Sequence, residues 1–146
     1  MRKVMTVIVL MVLLVSCATF QAGVSPLQRM KQQAFYNKAV WASVQQVAAE
    51  AHVRWLLWER NGIGNAPVPP AINHEQWAEF VQLSSVVESA QATYVNALMV
   101  AEAMDDQIAE GVQIPLLQVG EAMISGIQFL EDIGAIERGE YIVILP

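Results

Sequence analysis

Beyond residue 17 the chain has no cysteine at all. That excludes a disulfide framework and any thiolate metal site in the bulk of the protein. Histidine is nearly as scarce. His52 and His74 are the only two, and neither belongs to a His-x₃-His or Glu-x-x-His spacing, so a metal or haem site has little to stand on. Basic residues are few as well, with 8 Lys and Arg against 14 Asp and Glu and a net charge of −6. Setting residues 1–17 aside removes Arg2 and Lys3 and leaves six basic residues against fourteen acidic ones. A domain this acidic is a poor partner for nucleic acid or for an anionic lipid surface. The glycines build no phosphate loop, because Gly62-Ile63-Gly64-Asn65 lacks both the strand–helix setting and the lysine. Ser84-Ser85 has no His or acid placed to activate it. There is no internal repeat and no low-complexity tract. These absences leave no catalytic constellation, no metal site and no cofactor site, and they point to a non-enzymatic protein.

What is present begins at the N-terminus. Arg2 and Lys3 precede an apolar stretch, Val4 to Val15, broken only by Thr6, and the small residues Ser16, Cys17 and Ala18 follow. This is the anatomy of a signal peptide. The apolar stretch is shorter than the roughly 20 residues a membrane span needs. The run Leu14-Val15-Ser16-Cys17 resembles the lipobox of bacterial lipoproteins. The resemblance implies removal of residues 1–16, acylation of Cys17 and a linker over 17–24. Cleavage after Ala18 and an uncleaved anchor from Val4 to Phe20 are the competing readings. With two or more acyl chains, at about 0.8 kcal/mol per buried CH₂, anchoring is stable. Ala18 and Thr19 follow the Cys. By the same resemblance, the missing Asp favours the periplasmic face of the outer membrane if the host is Gram-negative.

The rest predicts an all-α domain: a long antiparallel helical hairpin, a shorter third helix and a short extended C-terminal tail. Ser25-Pro26-Leu27-Gln28 is a start signal, with Ser at the N-cap, Pro at the first helical position and Gln at the third. Two rows then repeat every seven residues. Leu27, Ala34, Trp41, Ala48 and Trp55 form one, and Met30, Asn37, Val44, Ala51 and Trp58 form the other. Asn61-Gly62 ends this helix, expected over 26–61. The Gly- and Pro-rich stretch to Ile72 cannot be helical. Asn73 with Gln76 opens a second helix expected over 74–110, with Ile72 and Trp77 in the staple positions. Its row is Phe80, Val87, Tyr94, Ala101 and Ile108. A third helix is expected over 115–133 with Leu116, Val119, Met123, Ile127, Leu130 and Ile133 as its apolar face, and a β-prone tail over 135–146.

Facing the two rows antiparallel pairs Trp41 with Tyr94, Ala48 with Val87, Trp55 with Phe80 and Trp58 with Trp77. It also sets Arg29 near Asp106 and Arg60 near Glu75. Each long helix then measures about 50 Å at 1.5 Å per residue.

Four candidate sites follow. Trp55, Trp58, Trp77 and Phe80 gather at the loop end, as core filling or as the lining of an apolar pocket. The loop presents Ile63, Val68, Pro69 and Pro70 at the far end of the rod from Cys17, as connector or contact point. The tail either packs on the third helix or adds to a partner's sheet edge. Glu102, Asp106 and Glu110 lie at i, i+4, i+8, as a loose cation site or as a solvated face paired with Arg29 and Lys31. His52 and His74 are expected on the surface, about 13 Å apart along the axis.

Together these features describe a lipid-anchored envelope protein, held to the membrane through acylated Cys17, that binds an envelope protein partner or self-associates. A lipid or small hydrophobic ligand in an interhelical pocket is the alternative. In build the chain resembles small helical accessory lipoproteins such as secretin pilotins, and phage-encoded surface lipoproteins are a further class. Only Cys17 carries over from these resemblances.

Overall fold

The computed structural model describes residues 25–60, 72–104 and 109–145. Cys17 and the leader lie outside the described residues. So do the loop residues Ile63, Val68, Pro69 and Pro70.

Three helices make up the described protein: α1 (Pro26–Arg60), α2 (His74–Ala103) and α3 (Ala109–Asp132). No strand occurs among the described residues. The all-α fold with two long helices, a shorter third and a short tail is the one the heptad rows predict.

Both expected start signals operate. Ser25 Oγ accepts the Gln28 N–H at 3.2 Å, and the Gln28 side chain accepts the Ser25 N–H in return. Asn73 and Gln76 form the same reciprocal box at the head of α2, at 2.8 and 3.0 Å. Each box satisfies two donors that a helix start otherwise leaves orphaned. Ile72, just before the second box, is fully buried.

The partners show the direction of each element. Lys31 pairs with Glu102, Gln45 with Glu88 at 3.1 Å, and Glu59 with His74 at 3.0 Å. Rising numbers on α1 meet falling numbers on α2, so the two helices are antiparallel. On α3, Gly126 lies against Trp41, and Gly120 lies against the tail where the tail meets Asn37. Hence α3 climbs beside α1 in the same direction, and the bundle runs up, down, up. The most extensive packing is between α2 and α3.

The boundary between α2 and α3 differs from expectation. α2 ends at Ala103, with Met104 as its C-cap, and does not run on to 110. α3 opens at Ala109, so Gly111 and Pro115 lie inside it and neither stops or starts a helix. The acidic residues after Met104 work against the helix C-terminal dipole, and no basic residue sits in the last turn of α2 to offset it. Pro115 removes one backbone bond, yet Val112 before it and Leu116 after it are both buried on one stripe. Burying that stripe outweighs the local cost of the proline. Glu102 and Glu110 therefore belong to different helices, and the three-acid ladder does not exist as a helix face. Asp106 lies outside the described residues, and with it the expected Arg29–Asp106 pair.

The aromatic register is also shifted. Trp41 was expected opposite Tyr94, but the ring it packs on is Phe80, at 6.0 Å between centroids. Tyr94 reaches down to the backbone of Met30. Phe80 has Trp41 and Trp77 as ring neighbours, not Trp55, while Trp58 pairs with Trp55, not Trp77. The pair at the loop end is Glu59–His74 in place of Arg60–Glu75. The expected register treated the seven-residue rows as belonging to a two-helix seam. In the bundle α3 takes part of that seam, and Gly126 supplies the hole that fixes the Trp41 ring.

The core is one cluster. Met30, Trp41, Val44, Ala48 and Ala51 of α1 meet Phe80, Val87, Tyr94 and Ala101 of α2, closed by Val112, Leu116, Val119, Met123, Ile127 and Leu130 of α3. α3 stops at Gly134, whose φ of 71° suits glycine. The Ala135 N–H then bonds back to Leu130 and the Gly134 N–H to Glu131, which closes the helix as a Schellman motif.

Candidate functional site

The four aromatic residues expected to line one apolar pocket divide into two groups. Trp55 and Trp58 pack on each other at 4.9 Å. Trp77 and Phe80 pack at 5.8 Å and belong to a separate chain of rings running from Trp41 to the histidines. The level of Trp55 is above the end of α3, since Gly126 meets Trp41 and only six residues of α3 follow it. Trp55 and Trp58 are accordingly half-buried, while Val53 and Leu57 beside them are exposed. The indole N–H groups of Trp41, Trp55 and Trp58 are enclosed without an acceptor among the described residues.

His52 and His74 are much closer than the simple register implies. Their rings meet edge to face at 5.5 Å, and His52 stacks flat on Trp77 at 4.7 Å. The cause is the turn into α2: the Ile72 carbonyl lies 3.0 Å from His52 Nδ1, drawing the start of α2 down along α1. His74 Nε2 faces Glu59 at 3.0 Å. Among the described residues no three of His, Cys, Asp or Glu gather as a metal would require. Ser84 is buried and its hydroxyl accepts a hydrogen bond from Gln45 at 2.7 Å, while Ser85 donates to the Gln82 carbonyl. A shallow groove of about 450 Å³ opens between α2 and α3, lined by residues such as Ser85, Ser89, Thr93 and Gln118. Thr93 and Ser85 spend their hydroxyl protons on backbone carbonyls, and the groove lining contains no acid and no imidazole.

The tail settles between α1 and α3 and forms no strand. Asn37, fully buried in the α1 apolar row, grips Ile144 at two points. Its Nδ2 donates to the Ile144 carbonyl at 3.2 Å and its Oδ1 accepts the Ile144 N–H at 3.4 Å. Gln33 donates to the same carbonyl at 2.9 Å, and the Tyr36 hydroxyl donates to the Ile142 carbonyl at 3.3 Å. On the other wall, the missing side chain of Gly120 makes room for Leu145 and Val143. Tyr141 reaches Ser43, and its phenol pKa is pushed up, chiefly by burial. This clasp is the feature the sequence reading missed, although its signal was present: an Asn in a buried heptad row needs polar partners, and the tail supplies them.

α1 carries a second apolar stripe that was also missed. Phe35, Ala39, Ala42, Val53 and Leu57 are exposed on the side away from the core, in two groups, 35–42 and 53–57, at spacings of three and four within each group. Gln46 and Glu50, hydrogen-bonded to each other at 3.0 Å, separate its two groups, and Lys38 flanks it. Among the described residues no helix is long and apolar enough to cross a membrane.

The class that this architecture defines is a three-helix bundle with a clasped C-terminal tail. Comparison with protein-family models, with curated proteins and with solved structures found no match.

Proposed function

We propose that this chain is a lipid-anchored, non-enzymatic helical module of the bacterial cell envelope that works by binding another envelope protein or a second copy of itself. The observation that carries the reading is the outer stripe of α1. Phe35 is 77% exposed, and Val53 and Leu57 are each about half exposed. Apolar groups at the two ends of the outer face of α1 offer contact surface that α2 and α3 do not cover. The address rests on Cys17 and its lipobox. The acidic surface suits a protein partner better than an anionic bilayer, so the membrane link falls to the acyl chains.

Crosslinking from position 53 or 57 in the native envelope tests the interaction. A discrete crosslinked species is expected, and a chain that stays uncrosslinked on that face refutes it. Cys17→Ser tests the address, with release of the protein from the membrane fraction expected. An unprocessed band that remains membrane-bound would point to an uncleaved anchor.

The hydrophobic-ligand alternative draws on one observation: two half-buried indoles, Trp55 and Trp58, whose N–H groups have no acceptor among the described residues, at the end of the bundle that α3 does not reach. Tryptophan fluorescence that shifts saturably with added fatty acid, and keeps shifting when the outer stripe is mutated, would favour it.

A further inference from the structure

We propose that the cleft between α1 and α3 is a main-chain-reading peptide site, and that its occupant in trans is the tail, residues 141–145, of a second copy of this chain. The site is built on both walls. On α1, buried Asn37 presents a donor and an acceptor to the N–H and C=O of a single residue, as a neighbouring strand would. Gln33 and Tyr36 add donors to carbonyls two residues apart along the peptide. On α3, Gly120 is open where any side chain would overlap Leu145. The ligand class is therefore an extended apolar segment recognised through its backbone, and the tail's own sequence is the one fitted to it.

The tail is equipped to leave. It belongs to no helix or strand, and Ile142 and Leu145 are 63% and 44% exposed even when it is seated. Two glycines in the left-handed region, Gly134 and Gly139, flank the turn that leads into it. Exchange between two copies remakes the same contacts, so it costs little beyond association. Confinement of anchored copies to one membrane raises their effective concentration. That step makes the inference rest on the self-association branch of the proposed function.

The test uses two full-length copies with different tags, one carrying Gly120→Cys and the other Leu145→Cys, mixed in the membrane under mild oxidation. The new side chain at 120 displaces the first copy's own Leu145 and leaves its cleft open for the other tail. An interchain disulfide between the two tags is expected, at a level well above that of unsubstituted copies carrying only Cys17. Adding Asn37→Leu to the Gly120→Cys copy should lower that band about tenfold, because both hydrogen bonds to the backbone of Ile144 are lost. A single chain carrying both cysteines reports the folded cleft by forming an intrachain bond. If that intrachain bond forms but the mixture gives no interchain product, the tail stays in its own cleft and the inference is wrong. An interchain band indifferent to Asn37→Leu also overturns it. If crosslinks from positions 53 and 57 persist in either case, the interaction reading survives; if they fail too, both fall.

Discussion

Asn37 and Ile144, 107 residues apart in the chain, are joined by a pair of hydrogen bonds in which one side-chain amide serves both the backbone N–H and the backbone C=O of one residue. Asn37 is fully buried, so these bonds are not exchanged freely with water. Asn37→Asp should be worse than Asn37→Leu. A carboxylate can accept the Ile144 N–H but cannot donate to the Ile144 carbonyl, and it places a charge in the core. We expect Asn37→Leu to lose about 1–2 kcal/mol from the broken contacts and Asn37→Asp to lose more at neutral pH. Burial raises the carboxyl pKa in the aspartate variant, so part of its loss should be recovered as pH falls and the acid protonates. Urea unfolding of both variants at two pH values checks the order.

The two buried glycines of α3 should respond in opposite directions to alanine. At Gly126 a new Cβ would lie 2.6 Å from the Trp41 ring, which is rigid, buried and wedged against Phe80. The overlap, typically about 1–3 kcal/mol in a packed core, outweighs the gain in helix propensity, up to about 1 kcal/mol. At Gly120 the obstacle is the far end of the Leu145 side chain, which is 44% exposed just beyond the clasped Ile144 and can give way. Gly120→Ala should leave stability unchanged or slightly raised while loosening the tail, and Gly126→Ala should lower it. Thermal unfolding read by circular dichroism, with amide exchange at residues 141–145, distinguishes the two.

Tyr94 gives the fold an alkaline limit. Its hydroxyl donates to the Met30 carbonyl at 2.6 Å, and burial pushes its pKa up to about 12 from the ordinary 10.0. The folded state thus keeps a proton that the unfolded chain gives up first. The contribution is fully present below pH 10 and is lost as pH rises from about 10 to 12, at most about 3 kcal/mol for this group. Burial moves Tyr36 and Tyr141 in the same direction. Tyr94→Phe should cost about 1 kcal/mol at neutral pH and flatten the alkaline loss. Stability measured across pH 8–12 for both proteins shows whether it does.

The helix starts, the α1–α2 direction and the apolar face of α3 were legible because each rests on local chemistry: a cap three residues from its partner, or a row repeated every seven. Ser25, Asn73 and the stripe from Leu116 to Leu130 are of this kind. What stayed hidden depends on contacts the chain closes at long range. Gly126 is a poor helix former, and its place in α3 is explained only by Trp41, which fills the space of its missing side chain. Pro115 reads as a helix start because the burial of Val112 one turn earlier cannot be weighed from sequence. His52 and His74 looked far apart because the start of α2 was assumed to follow the ideal register, and the bond from His52 to Ile72 draws it down. Asn37 was visible as a polar intruder in an apolar row, but its partner is a backbone, which has no sequence signature.

The outer stripe of α1 separates association from stability more cleanly than any core position. Val53 and Leu57 are 51% and 52% exposed and lie outside the buried cluster. Replacing both with lysine removes apolar surface from solvent contact without opening a cavity. Surface changes of this kind shift stability by about 0.5 kcal/mol or less, so the unfolding midpoint should hardly move. An interface built on the stripe would instead be left with two charges facing an apolar partner, and losing a buried hot-spot residue at an interface centre costs about 2 kcal/mol or more. The Val53→Lys, Leu57→Lys chain should therefore fold normally and lose its crosslinked species in the envelope. If it folds normally and still forms that species in undiminished amount, the stripe is not the contact surface, and the partner binds elsewhere on the bundle.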